Sequence, residues 1–153
     1  MLLLARVLHI VIGVFWAGTI IFNGWLLAPA IRELGPDGGK VMGALARRGL
    51  LTILPITGIL TILSGISLYW HASAGFNSDY MRSRPGMIYG LGMVVTLVAF
   101  LIGFLVVRPS VEKAATAPPA EAQAFRQRAA SAGNLVAGLL LIVLFCMAIG
   151  RYV

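Results

Sequence analysis

The chain is 153 residues long, 59% hydrophobic and 11% charged, with a mean hydropathy of +0.94. A soluble globular domain carries about 25% charged and 45–50% apolar residues, so this composition excludes an ordinary soluble domain and points to lipid. The net charge of +7 does not indicate nucleic acid, because the basic residues fall in the gaps between apolar runs and form no patch or stripe.

A membrane-spanning helix needs about 20 predominantly apolar residues, and the first such run covers residues 2–28. It is longer than the 7–15 apolar residues of a signal peptide, and no small-residue cleavage site stands out, so it reads as a true span. At about 100° per residue, Arg6, His9, Gly13, Ala17, Ile20 and Gly24 share one face. Leu4, Leu8, Val11, Phe15, Phe22 and Leu26 occupy the opposite face. Small residues mark the side where helices approach closely in lipid, so His9 is expected to point into a bundle. The connector that follows, residues 29–40, holds the breaker cluster Gly35-Pro36-Asp37-Gly38-Gly39. Residues 41–49 are small and basic and are expected to extend the second helix beyond the lipid.

The second run, 50–70, groups Gly58, Thr61 and Gly65 on one side, flanked by Thr57, Ser64 and His71. Pro55 predicts a kink there, with Thr52 and neighbouring helices satisfying the freed backbone groups. Residues 71–86 form a polar connector ending in Pro85-Gly86. The third run, 87–107, places Gly86-x-x-x-Gly90 and Met93 on one side. Packing within the bundle explains that pattern at least as well as dimerisation does. Arg108-Pro109 opens the next connector, and after Pro118 a short helix over 119–131 leads into the fourth run, 132–150. On that run Asn134, Ala137, Gly138 and Ala148 project inward, which turns Cys146 and Met147 toward lipid or a partner. Backbone groups cannot stay unpaired in hydrocarbon, so all four runs are expected to be helices. The prediction is an all-α polytopic membrane protein, a single domain over 1–153 built as a four-transmembrane-helix bundle.

Lys and Arg accumulate in cytoplasmic loops. The first and third connectors hold eight (Arg32, Lys40, Arg47, Arg48, Arg108, Lys113, Arg126 and Arg128), and the other side holds four (Arg6, Arg82, Arg84 and Arg151). This predicts a multi-pass protein of the cell (inner) membrane with both termini outside. Tyr69, Trp70, Tyr80, Tyr89 and Tyr152 are expected to form an outer interfacial belt, with Trp25 near the inner interface.

Ionisable residues inside spans are rare and expensive, which makes them functional candidates. His9 is the first, as a ligand to haem or a metal, since neutral imidazole is the commonest metal-ligating side chain; the bland reading is a histidine hydrogen-bonded to a neighbouring helix. His71 ends the second run, and its mismatch in depth with His9, about 10 Å at 1.5 Å per residue, weighs against simple bis-histidine ligation. Soft ligands suited to Cu(I) are Met1, Met81, Met87, Met93, Cys146 and Met147, although methionine is also an ordinary gap-filler. Asn23 and Asn134 read as interhelical hydrogen-bonding residues. No Ser-His-Asp set, paired carboxylates or phosphate loop can be assembled, and all five acidic residues lie in connectors.

Leu8-His9, Trp16-Ala17-Gly18 and Pro29 together resemble the first helix of the CopD/HemJ-like superfamily of small four-helix membrane proteins. Arg47-Arg48 followed by Thr52, Pro55 and Gly65 is similar to the second helix of HemJ-type protoporphyrinogen oxidases, and Asn134 before a long aliphatic run is similar to their last. The ending Met147-Ala148-Ile149-Gly150-Arg151-Tyr152 resembles that of other membrane proteins in the same broad group. The resemblance implies a haem-b-binding bundle, with His9 at the position of the family's first-helix histidine; CopD relatives are associated with copper uptake. HemJ-type enzymes also carry a histidine and a lysine in the third helix, and residues 86–107 here contain neither. His71 is then the only other histidine for a haem. Three functions are expected from these readings. The first is a haem-b-binding redox or haem-handling protein with its cofactor in the outer half. The second is a copper or small-solute permease using His9 and Met93. The third is a non-catalytic accessory subunit with no cofactor. The expected partners are the lipid bilayer and a homo-oligomer or larger membrane complex, not nucleic acid.

Overall fold

A computed structural model describes residues 2–153, with the backbone alone at Pro36; Met1, one of the soft ligands named above, lies outside the described residues. The described chain is all helix and turn, and four of its helices are long and apolar enough to cross a membrane: Leu2–Glu33, Leu50–Ala72, Arg84–Thr116 and Pro119–Ile149. The first helix packs against the second and the fourth, and the third packs against the fourth and the second. Consecutive helices are therefore neighbours, and the first and third lie on a diagonal. The multi-pass, all-α bundle expected from the four apolar runs is the architecture found.

The centre is small for the size of the chain. Trp16 and Ala17 of the first helix, Ala99 of the third, and Val136 and Leu140 of the fourth form the buried core, with Leu54 and Phe100 packed against it. The Trp16 and Phe100 rings meet across the diagonal at 6.3 Å. Gly58 makes that meeting possible, because a Cβ there would stand 2.8 Å from Phe100 and 2.9 Å from Trp16. Outward-facing side chains are apolar almost throughout, with Leu3 75%, Phe145 65% and Leu26 63% exposed. Water would not tolerate that surface on a monomer, and acyl chains do.

Two helices run past the prolines expected to stop them. The first continues through Pro29 to Glu33, and the third continues through Pro109 to Thr116. In each, the turn just before the proline widens to a π turn, Asn23–Leu27 and Gly103–Val107. A proline ring clashes with the carbonyl four residues back and offers no N–H, and a π turn is a known way to absorb such a defect inside a helix. The backbone N–H of Ala28 bonds to Asn23 O and that of Arg108 to Gly103 O, closing the two wide turns. An Arg108–Glu112 ion pair at 2.9 Å then spans the next turn of the third helix. Residues 41–49, expected to extend the second helix, do not: 41–47 belong to a separate helix, Gly38–Arg47, and 48–49 form a turn. Gly49 separates the two at φ 87°, a left-handed conformation that favours glycine.

The connector between the second and third helices is tightly organised. Ala74, Gly75 and Phe76 all have positive φ (48°, 87° and 63°), and the buried Ser73 hydroxyl holds the turn by accepting the Phe76 N–H at 2.9 Å. Asn77 caps the short helix Ser78–Arg82, and Ser83 caps the third long helix at Gly86. Tyr69, expected in an outer interfacial belt, turns into the chain. It is buried, and its hydroxyl donates to Gly86 O at 3.0 Å, because the glycine leaves that carbonyl reachable. A Cβ at Gly90 would stand 3.5 Å from the same hydroxyl, so both glycines of the Gly86/Gly90 pair face Tyr69 within the chain. Burial pushes the Tyr80 phenol above its ordinary pKa, with the Tyr89 and Tyr69 phenols adding to the effect.

Candidate functional site

His9 lies two turns into the first helix, on the face that meets the second. Gly65 supplies the notch: a Cβ there would stand 2.9 Å from His9 Cε1, so only glycine lets the ring lie against the second helix without displacement. One turn further along, Gly13 receives the Thr61 methyl in the same way, at 3.3 Å. The small-residue face predicted on the first helix is therefore its packing face, and Ala17 and Gly24 on it are buried.

The hydrogen bonds around the imidazole fix its chemistry. His9 Nδ1 is 3.0 Å from the Thr61 carbonyl oxygen and 3.0 Å from Ser64 Oγ. A carbonyl only accepts, so Nδ1 carries the proton and donates. Ser64 can receive a share of it because its own hydroxyl donates along its helix, to Leu60 O at 2.7 Å. Thr61 Oγ1 likewise donates to Thr57 O at 2.8 Å. In the neutral ring Nε2 then keeps its lone pair. Among the described residues no side-chain nitrogen or oxygen is both sealed from the exterior and unpaired, so Nε2 is open to the exterior at the seam of the two helices. An imidazole held by its Nδ1–H with a free Nε2 is the arrangement that metal-ligating histidines adopt.

His71 is placed differently. It is exposed, and its Nδ1 turns back to Ser67 O on its own helix at 2.7 Å. It stands six residues beyond Gly65, about 9 Å along the axis and about 120° around it, so the second helix does not present His71 beside His9. Met93 belongs to the third helix, diagonal to the helix of His9. No group of three or more His, Cys, Asp or Glu side chains able to hold a metal occurs among the described residues.

Cys146 and Met147, expected toward lipid or a partner, instead meet the third helix of the same chain. Both are half-buried and lie on Gly92 of the third helix, where a Cβ would stand 3.2 Å from Cys146 Cβ and 2.7 Å from Met147 Cε. The expectation took Asn134 as the inward marker of the fourth helix, but Asn134 is exposed. Val136, Leu140 and Val143 are buried about 120° to 180° around the helix from Asn134, and Met147 continues that side, while Ala137, expected inward, is buried as well. Asn134 instead rests its Oδ1 near Gly24 of the first helix, 3.5 Å from where a Cβ would be. Asn23, beside that glycine, opens the first π turn.

Comparison of the chain with protein-family models, curated proteins and solved structures gave no match in any of the three.

Proposed function

We propose that this membrane protein binds haem b through a single histidine, His9, and serves a redox or haem-handling function in the half of the bundle nearer its two termini. One observation carries the reading: Thr61 O and Ser64 Oγ hold Nδ1–H and leave Nε2 free at the helix seam. The donor set supplies one imidazole: His9 would hold the iron of the group through Nε2, and the group would supply one-electron redox chemistry when bound. The residues of this chain bind and orient: Gly65 admits the ring, Thr61 and Ser64 set its tautomer, and the apolar flanks of the first two helices offer a surface for a flat apolar macrocycle. The resemblance of the first helix to the CopD/HemJ-like superfamily supports the same reading. With eight basic residues on the face of the first and third connectors against four on the other, that face is cytoplasmic in this proposal, and the haem lies toward the outside of the cell membrane.

A second reading, a copper permease, has its own observation. Cys146 and Met147 are brought onto Gly92, one residue before Met93, which gathers thiol and thioether groups suited to Cu(I) between the third and fourth helices.

One preparation separates the two. Protein purified in mild detergent should show a Soret band that is lost in His9→Ala and kept in His71→Ala. A colourless wild type that also fails to take up added haemin would refute haem binding. Stoichiometric copper by elemental analysis, lost in the paired Cys146→Ser and Met147→Leu variant, would favour the second reading.

A further inference from the structure

At the basic end of the bundle, where the third helix extends beyond its π turn and the fourth begins, the two helices enclose a recess of about 110 Å³ lined by Leu105, Ser110, Lys113, Phe125 and Arg128 among others. It is somewhat smaller than the cavity of about 150 Å³ that admits benzene, a size suited to one compact polyatomic group. Its chemistry is cationic. Lys113 and Arg128 both line it, and neither is in an ion pair among the described residues, whose pairs are Lys40–Asp37 and Arg108–Glu112. Lys113 Nζ is held 5.7 Å over the Phe125 ring, which keeps the ammonium at the recess without neutralising it. Of the nearby carboxylates, Glu112 is engaged by Arg108, and Glu121 lies seven residues before Arg128, about 10 Å along the fourth helix.

The floor of the recess supplies a second, independent sign. Ser110 is only 5% exposed, yet its hydroxyl has no hydrogen-bond partner among the described residues, whereas the other buried hydroxyls of the spans are engaged on their own helices, Thr61 with Thr57 O and Thr96 with Gly92 O. Since no fully sealed side-chain oxygen is left unpaired, the Ser110 hydroxyl opens onto the recess it lines. A buried free hydroxyl beneath two unpaired cations calls for an anion with several acceptor oxygens, and a tetrahedral phosphate has that chemistry. The recess also sits where the apolar runs of the third and fourth helices give way to their basic extensions. In the proposed orientation this end is cytoplasmic, and basic pockets between transmembrane helices on the cytoplasmic side bind phosphorylated headgroups.

We propose that Ser110, Lys113 and Arg128 form a binding site for a phosphate group, supplied by an anionic phospholipid headgroup or by a free phosphate. The proposal is independent of the haem reading. The test is native mass spectrometry of the detergent-purified chain titrated with phosphatidylglycerol, with and without millimolar inorganic phosphate. Wild type is expected to retain one phosphatidylglycerol. The double variant Lys113→Gln, Arg128→Gln should bind it about tenfold more weakly, as the loss of charge-assisted hydrogen bonds implies. Ser110→Val, which fills the recess and leaves both charges, should show a comparable loss. Arg32→Gln with Lys40→Gln, removing the same charge from the first connector, should bind as wild type does. Displacement of the lipid by inorganic phosphate would assign the site to free phosphate as well; retention against phosphate would assign it to the headgroup. Binding unchanged in both the double variant and Ser110→Val, or weakened equally in the Arg32 and Lys40 pair, would overturn the proposal.

Discussion

The imidazole of His9 fits its helix pair because one residue opposite it has no side chain. A methyl group at Gly65 would press on Cε1 at 2.9 Å, and the ring cannot retreat without breaking its bonds to Thr61 O and Ser64 Oγ. Overpacking of this kind costs about 1–3 kcal/mol. Gly65→Ala should therefore lower the thermal midpoint of the detergent-solubilised protein and, in the haem reading, weaken cofactor retention with it. Gly18 provides the contrast. Nothing lies within 4 Å of a Cβ there, and replacing a helix-interior glycine with alanine is neutral or stabilising by up to about 1 kcal/mol. Differential scanning fluorimetry of the two variants should move the midpoint down for the first and not for the second; equal destabilisation would show that Gly65 is not a contact for His9. Much of this was readable in the sequence, since a rare polar group on a face of glycines and alanines marks its own direction. The partner of Nδ1 was not, because a backbone carbonyl carries no sequence signature.

At the scale of helices, hydropathy located the spans but underestimated two of them. Residues 29–33 and 108–116 read as connectors because Pro29 and Pro109 stand at their start, and in water-soluble helices an interior proline is costly. What rescues both helices is a widened turn, with Gly24 or Gly103 inside it. The matching placement in the first and third helices puts two bulges near the same end of the bundle. The inward face of the fourth helix was read only in part. Ala137 is buried as expected, but Asn134 and Ala148 are exposed, and the close-packed side through Val136, Leu140 and Val143 carries Met147 and Cys146 onto Gly92. The helix of residues 38–47 separated from the second span at Gly49, where a positive φ breaks what looked like a continuous run.

Taken whole, the molecule is a sparsely buried bundle with two unlike ends. One end is closed by the aromatic connector of Tyr69, Trp70, Phe76 and Tyr80, whose rings meet at 5.0 to 5.9 Å. The other carries the basic connectors and the recess of Ser110. The proposed orientation puts the aromatic end outside. In a Cys146→Ser background, a membrane-impermeant maleimide should label Ser78→Cys in intact cells and reach Gly39→Cys only after permeabilisation; the reverse pattern would invert the molecule and move the His9 seam to the cytoplasmic half. The central claim is narrower than topology: the second helix holds His9 by Nδ1–H and leaves Nε2 as a free ligand. Nitrogen-15 NMR of the histidine-labelled protein, prepared without cofactor, reads that directly. The account predicts a protonated Nδ1 and an unprotonated Nε2 for His9, with the Nε2 resonance shifted or broadened when haemin is added and unaffected in its absence. A protonated Nε2 with an unprotonated Nδ1, or an Nε2 signal indifferent to haemin, would contradict it.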